Sequence, residues 1–301
     1  MKYYNFFYKV KSLFGIIAIF KNWPIYLAFR FNLLDRNKER MYFLRNGLKI
    51  FAANTEPWGM KGVFVDKEYV RQSKISNNYT MIDIGANIGA FSIFAATAAK
   101  NVRVYSFEPV PETFSRLAKN IEINNLAAFI KSFELGIGGR NEKRKIFIDS
   151  DSSMANSLYQ KNEAADKFIE IKVISLQDIF TENAIERCDF LKVDAEGAEQ
   201  EIFFSTPPEY LHKIKNIVIE YDEKFEDLKN FLEKNGFFIT IVPKNHSMGL
   251  LYAKLNEKMI PEKVVQQKQR IKRILAKVFS PYFRVVKLFN HKPKFTILMY
   301  H

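Results

Sequence analysis

The hydrophobic period of the chain changes abruptly between residues 79 and 92. Met81 to Ile84 is a short apolar run broken only by Asp83, the pattern of a parallel strand covered on both faces. Gly85 and Gly89 bound a turn, and Phe91, Phe94, Ala95 and Ala98 then recur at i, i+3, i+4 and i+7. That spacing predicts a helix whose buried face is thin enough in side chain to lie close against a sheet. Val102 to Phe107 alternates apolar with polar residues and reads as the next strand, ending in Glu108-Pro109. Pro111 and Glu112 open a helix carrying Phe114, Leu117 and Ile121 on one face and stopping near Asn124-Asn125, after which Phe129 to Phe133 supplies a third strand closing on Gly136, Gly138 and Gly139.

Further on, Lys145 to Asp149 and Phe168 to Val173 read as strands around the polar loop Asp149 to Ser157, a length at which loops are more often functional than idle and from which this one can cover an acceptor. Four more strands are expected at Phe190 to Val193, Ile217 to Ile219, Phe237 to Val242 and Leu250 to Ala253. A helix from Glu223 to Lys234 sets Phe225, Leu228, Phe231 and Leu232 at helical spacing and stops at Asn235-Gly236. Strands and helices alternating in this way from about residue 71 make a doubly wound α/β domain over 71–255.

The flanks have another character. Residues 1–70 begin aromatic, basic and poor in acids, with an apolar run from Leu13 to Phe20 that Lys21 and Pro24 cut too short to span a bilayer. No small-residue cleavage site follows it, which argues against a secretory signal. Two readings stand: a helical layer packed on the α/β domain, which the pattern favours, or an element lying on a membrane surface. Asn46-Gly47, between Tyr42 to Leu44 and Leu48 to Phe51, predicts a hairpin. In 256–301, Ile271, Ile274, Leu275, Val278 and Phe279 form one helical face amid Lys268, Arg270, Lys272, Arg273 and Lys277. That basic amphipathic helix fits a membrane surface and packing on the domain equally.

Composition changes the picture in two respects. A formal net charge of +13 over 301 residues favours an anionic partner, such as phospholipid or an acidic glycan, without bearing on fold. One cysteine, Cys188, excludes a disulfide framework and fits a reducing cytoplasm, and the four histidines share no zinc spacing with it, so no metal is expected.

The candidate chemistry gathers at two strand ends. A strand feeding a helix through a glycine turn is expected to present free backbone N–H groups and a helix dipole to a ligand carboxylate or phosphate. Glu108, 19 residues beyond Gly89, stands where an acid can accept both hydroxyls of a ribose. In a dinucleotide fold the places of Asn87 and Ala90 are glycines that let backbone touch a pyrophosphate, which argues against NAD and FAD, and no G-K-[ST] follows for a triphosphate. A ligand with a ribose and no phosphate fits: S-adenosyl-L-methionine. The second constellation is Lys192-Val193-Asp194-Ala195-Glu196-Gly197-Ala198-Glu199, where Asp194 and Glu196 emerge at the carboxyl edge of a strand with Glu220 on the neighbouring one and Lys192 to balance them. Glu199 reads instead as a charged first helical turn facing outward.

These two motifs, with Phe107-Glu108-Pro109 and Asn120-Ile121-Glu122-Ile123-Asn124 between them, resemble the FkbM family of S-adenosylmethionine-dependent methyltransferases from roughly Asn46 to Ala253. The resemblance implies a Rossmann-like class I methyltransferase sheet of seven strands, mostly parallel, the last antiparallel, with helices on both faces, to which the residue pattern adds helical extensions at both ends. It implies O-methylation of a sugar, a glycan or cell-envelope precursor, or another small hydroxyl acceptor. The cofactor-binding set is then Asp83, Gly85, Ala86, Asn87 and Gly89 with Glu108 and Pro109, and the catalytic set Asp194 beside the methyl group, Glu196 or Glu220 as base or acceptor clamp, and Lys192 as their charge partner. One departure stands out: where the family often carries an acid or amide for the adenine, this chain has Gly136-Ile137-Gly138-Gly139, which implies either adenine recognition by backbone groups or a weakly bound cofactor. A cytoplasmic enzyme touching the membrane peripherally through its basic termini is expected, and nucleic acid is not, since no reading motif accompanies the charge. Two rivals are a non-catalytic membrane- or glycan-binding module and a nucleotide-dependent oxidoreductase. The last seven residues, Phe295 to His301, resemble the opening strand of polysaccharide deacetylase domains, which implies a longer glycan-modifying protein.

Overall fold

The structure is a computed structural model that describes residues 2–35, 38–53, 56–147, 168–221, 225–245, 248–256 and 258. The chain divides into two compact units, Met1–Asn256 and Glu257–His301. The polar loop 149–157, the basic amphipathic segment 268–279 and the stretch 295–301 lie outside the described residues.

Helices α1 (Lys2–Ile19) and α2 (Trp23–Arg30) lead into the hairpin β1 (Arg40–Phe43) and β2 (Lys49–Ala52), as Asn46-Gly47 predicts. A short helix α3 (Pro57–Met60), a π-helical turn (Lys61–Val65) and a 3-10 turn (Glu68–Val70) follow. The α/β domain then runs β3 (Thr80–Ile84), α4 (Ala90–Ala98), β4 (Arg103–Phe107), α5 (Pro111–Ile123), β5 (Ile130–Phe133), β6 (Gly136–Gly138), β7 (Glu142–Phe147), β8 (Phe168–Ser175), α6 (Leu176–Glu182), β9 (Phe190–Val193), α7 (Glu199–Ser205), α8 (Pro208–Leu211), β10 (Asn216–Tyr221), α9 (Glu226–Lys234), β11 (Phe237–Pro243) and β12 (Gly249–Leu255).

Seven strands form one sheet in the order β11-β12-β10-β9-β3-β4-β5, and only β12 runs against its neighbours. This is the Rossmann-like class I methyltransferase arrangement. Strand order reverses between β3 and β9, and open α/β sheets bind ligands outside the carboxyl ends of the strands at such a point. The two-residue period of the strands sorts the core into two layers. Met81, Phe190, Val218 and Tyr252 face one layer with α4 and α5, whereas Ile82, Leu191, Ile217 and Leu251 face the other with α6, α7 and α9.

The N-terminal extension belongs to the first layer. Ile16, Phe20, Tyr26, Tyr42 and Ile50 are wholly buried in the cluster that contains Met81 and Phe91. Phe20 stacks on Tyr26 at 4.7 Å, and Tyr26 Oη donates to Pro57 O at 2.8 Å. Among the described residues no helix is long and apolar enough to cross a membrane.

Two local expectations need correction. The period gives α4 a single buried face including Ala98, but Phe91, Ser92, Ile93, Ala95 and Ala96 are all buried and Ala98 is exposed. The π-helical turn packs on its outer side, where Phe64 meets Phe94 edge-on at 6.1 Å. Gly136 to Gly138, on which the third strand was expected to close, is itself a strand, pairing in parallel with β8 in a small sheet ordered β6-β8-β7. A Cβ on Gly136 would stand 2.7 Å from Ile171 Cδ1 and one on Gly138 2.8 Å from Val173 Cγ1, so glycine allows the strands to sit this close.

Candidate active site

The turn after β3 is built from left-handed residues: Gly85, Asn87 and Gly89 have φ of 68°, 51° and 85°. Glycine takes that conformation without steric cost and asparagine tolerates it better than most residues. Gly85 has a further reason to lack a side chain, since a Cβ would fall 1.8 Å from the Asp194 carbonyl oxygen. The two motifs therefore touch, and Asp194 N donates to Ile84 O at 3.1 Å. Asn120 braces the turn from α5, its Nδ2 donating to Ile88 O and to Phe51 O, both at 2.9 Å.

Four N–H groups of the turn that were expected to be free are engaged within the protein. Ala86 N donates to Phe107 O at 2.9 Å, Asn87 N to Glu108 Oε2 at 2.9 Å, Ile88 N to Asn87 Oδ1 at 2.7 Å and Gly89 N to Ala86 O at 2.9 Å. The turn also offers its shape and the acid behind it. Glu108 is buried against the bend, and its Oε1 also accepts from Val110 N at 3.0 Å. Burial pushes its carboxyl up to about 7, outweighing the two backbone donors.

Lys192 is the charge centre. It is buried, and its Nζ lies 2.7 Å from Gly85 O and 3.4 Å from both Asp83 Oδ1 and Asp194 Oδ2. Burial works to lower its pKa, but Asp194, Asp83 and Glu220 together raise it, so it stays charged. Asp83 is wholly buried, accepts from Ser92 Oγ at 2.5 Å and lines neither of the cavities described below. It reaches the site through Lys192. Removing either partner of such a pair leaves a buried charge uncompensated, typically at about 3–5 kcal/mol.

Two cavities open at the carboxyl edge of the sheet. The first, about 90 Å³, runs from Gly85 past Glu108 and Pro109 to an apolar end made by Phe107, Ile137, Ile146, Ile171 and Val173. The second, about 490 Å³, lies between the turn and the segment Glu56–Tyr69, with Lys192, Glu220 and Lys244 in its wall. Gly85, Asn87, Asp194 and Glu196 line both. Ala86 lines the second and Gly89 neither.

Glu196 has φ 49° and is followed by Gly197 at φ 104°, a bend that sets the glutamate in the shared wall. Glu199 does not face outward as its position suggested: its Oε1 accepts from Ala195 N at 2.9 Å and Gly197 N at 3.2 Å, closing the same bend. Glu220 stands on the strand beside Asp194, with Ile219 paired to Val193. Its Oε1 accepts from Lys244 Nζ at 2.9 Å and its Oε2 from Tyr69 Oη at 3.0 Å. Burial and the neighbouring Asp194 raise its pKa, although Lys244 opposes them. Tyr69, Lys244 and the Glu68 beside Lys244 were not singled out in the sequence, since they lie 151, 24 and 152 positions from Glu220 and no local pattern marks them.

These residues fit S-adenosyl-L-methionine. An acid stands where ribose hydroxyls can donate, an apolar slot beside it takes a flat ring, and Asp194 and Glu196 favour a cationic far end. The same three acids oppose a pyrophosphate. The first cavity is the narrower of the two.

A family model described as the Methyltransferase FkbM domain matches residues 83–239. The chain belongs to the FkbM methyltransferase family. The matched span holds both motifs, whereas Glu56–Tyr69 and Lys244 lie outside it. This FkbM-family methyltransferase is 26% identical over 222 residues to Methyltransferase 1 of Beauveria bassiana, covering 65% of this chain and 88% of that one. It is 22% identical over 209 residues to the 31-O-demethyl-FK506 methyltransferase FkbM of Streptomyces tacrolimicus, with 59% and 80% covered. It is also 25% identical over 149 residues to the hexuronic acid methyltransferase AglP of Haloferax volcanii, with 49% and 59% covered. Among the described residues no group of three or more His, Cys, Asp or Glu is arranged to hold a metal ion.

Proposed function

We propose that this protein transfers a methyl group from S-adenosyl-L-methionine to a hydroxyl of a sugar in a glycan or cell-envelope precursor, and that basic elements bring it to an anionic membrane surface. The observation carrying the reading is the shared wall: Asp194 and Glu196 border both the cavity that contains Glu108 and the cavity that contains Glu220. One ligand held at the ribose acid and another held at Glu220 would therefore meet at those carboxylates. Two relatives support the acceptor class, one named for O-demethyl-FK506 and one for hexuronic acid.

Bound there, the cofactor would supply a methyl group on a positively charged sulfur, to be passed to the acceptor oxygen with S-adenosylhomocysteine as the leaving group and the hydroxyl proton taken by a carboxylate. The protein's part is to bind, align and deprotonate. Glu108 holds the ribose, with Pro109 beside it, and Gly85, Ala86, Asn87 and Gly89 shape the bend. Asp83 fixes Lys192, which holds Asp194 beside the reacting centre. Glu196 and Glu220 face the acceptor from two sides.

The test is release of S-adenosylhomocysteine when purified protein meets the cofactor and cell-envelope extract. Release dependent on extract is expected; none, with cofactor bound in calorimetry, counts against methyl transfer to an envelope acceptor. Asp194→Asn is expected to lower turnover by about 10²-fold or more while cofactor affinity falls far less. An equal loss in both would make Asp194 a binding residue only.

A further inference from the structure

The second cavity carries an inference of its own, one that rests on the methyl-transfer reading and narrows the acceptor. At about 490 Å³ it lies within the range of pockets that enclose a small molecule. Its far wall is the segment Glu56–Tyr69, which precedes the matched family domain. That wall is fixed in place. Glu56 accepts from Arg116 Nε at 2.8 Å and from Ala53 N at 2.7 Å, and Tyr69 packs edge-on to Phe91 at 5.3 Å.

Each lysine in the wall is paired with an acid of the protein. Lys244 Nζ is 2.9 Å from Glu220 and 3.3 Å from Glu68, Lys61 pairs with Asp66, and Lys192 is held by Asp83 and Asp194. Arg30, the remaining basic residue of the lining, lies 3.5 Å from Ser12 Oγ, and Glu56 and Glu196 line the same space. Counted over the lining residues, acids outnumber bases. A carboxylate or phosphate entering here would meet excess negative charge, and taking Lys244 for itself would strip the half-buried Glu220 and Glu68 of their partner. Hydroxyl groups meet no such penalty, because they donate to carboxylates and accept from ammonium and phenol groups.

We infer that this cavity binds an uncharged, polyhydroxylated sugar unit, that its target hydroxyl lies against Glu220, and that Tyr69 and Lys244 are the residues that position Glu220. The acceptor so described differs from the hexuronic acid for which one relative is named.

The experiment uses the full chain, methyl-labelled cofactor and envelope glycan, followed by hydrolysis and anion-exchange separation of the released sugars. Label on a neutral monosaccharide is expected. Label on a uronic acid or a sugar phosphate overturns the inference while leaving methyl transfer intact. No label on any sugar, with cofactor binding preserved, overturns both. Tyr69→Phe keeps the ring and removes one hydrogen bond; it is expected to raise the acceptor KM or lower kcat about tenfold and to shift the acid limb of the kcat profile, with cofactor affinity in calorimetry unchanged. A Tyr69→Phe protein with wild-type kcat, KM and pH profile overturns the positioning role.

Discussion

Glu108 links a buried proton to ligand affinity. In the folded protein its carboxyl is pushed up to about 7 by burial, against 4.5 for the free group. The sign follows from linkage. A raised carboxyl contributes stability that is fully present below 4.5 and is lost as pH rises through about 7, so the ligand-free fold gains from a protonated Glu108. Ribose hydroxyls need the ionised form, because they donate to it. Cofactor affinity is therefore expected to fall by up to about tenfold per pH unit below about 7, and Glu108→Gln to bind weakly with that slope gone. Calorimetry from about pH 5.5 to 8.5 measures both; a flat wild-type profile would remove Glu108 from the ribose site. This residue was legible because its place is fixed by distance along the chain from the glycine turn. Tyr69 and Lys244 were not, since they reach Glu220 only through the tertiary fold. Gly85 was read as a turn residue, yet its tighter constraint is the Asp194 carbonyl more than a hundred positions away.

At the scale of elements, each of the seven strands announced itself by a local apolar run or alternation, and the family likeness implied a mostly parallel sheet of seven, whereas the order of the strands comes from the structure. The layer covering α4 did not announce itself, because the covering residues 61–65 show no period that points to a partner. Ser175 and Asp178 form the capping box of α6, a signal local to the sequence: Asp178 N donates to Ser175 Oγ at 3.2 Å, and Ser175 N to Asp178 Oδ2 at 3.3 Å. The N-terminal extension can be tested as part of the core. Phe20 is wholly buried, packs on Tyr26 and shares a cluster with Met81 and Phe91 at the start of the active-site turn. Phe20→Ala is expected to cost about 3–5 kcal/mol, a drop in Tm on the order of 10 °C in thermal denaturation. An unchanged Tm would make the extension an appendage with a separate stability.

For the whole molecule, the net charge of +13 has no counterpart in the active site, where acids predominate. The excess of cations lies toward the two ends of the sequence, and the exposed surface of the N-terminal extension offers one place for it to act. Phe14, Phe31 and Leu33 are 65%, 66% and 75% exposed, and Lys11, Lys21 and Arg45 are exposed on the same extension. Large apolar side chains standing in solvent among cations fit an anionic lipid surface, which rewards both at once. The position matters for catalysis too: Arg30 lines the acceptor cavity and Phe31, the next residue, is exposed, so contact at Phe31 would bring that cavity near the lipid headgroups. The protein is expected to co-sediment with vesicles containing about one-third phosphatidylglycerol and to be released near 1 M salt, where the screening length falls to about 3 Å. Replacing Phe14 and Phe31 together by Ser should weaken that binding by about tenfold or more at low salt while methyl transfer to a soluble acceptor is retained, since each lost ring forfeits roughly 1.5–3 kcal/mol of apolar burial at most. Equal sedimentation of the wild type and this variant would place the membrane contact elsewhere, and no sedimentation at all would show that the charge serves another anionic partner.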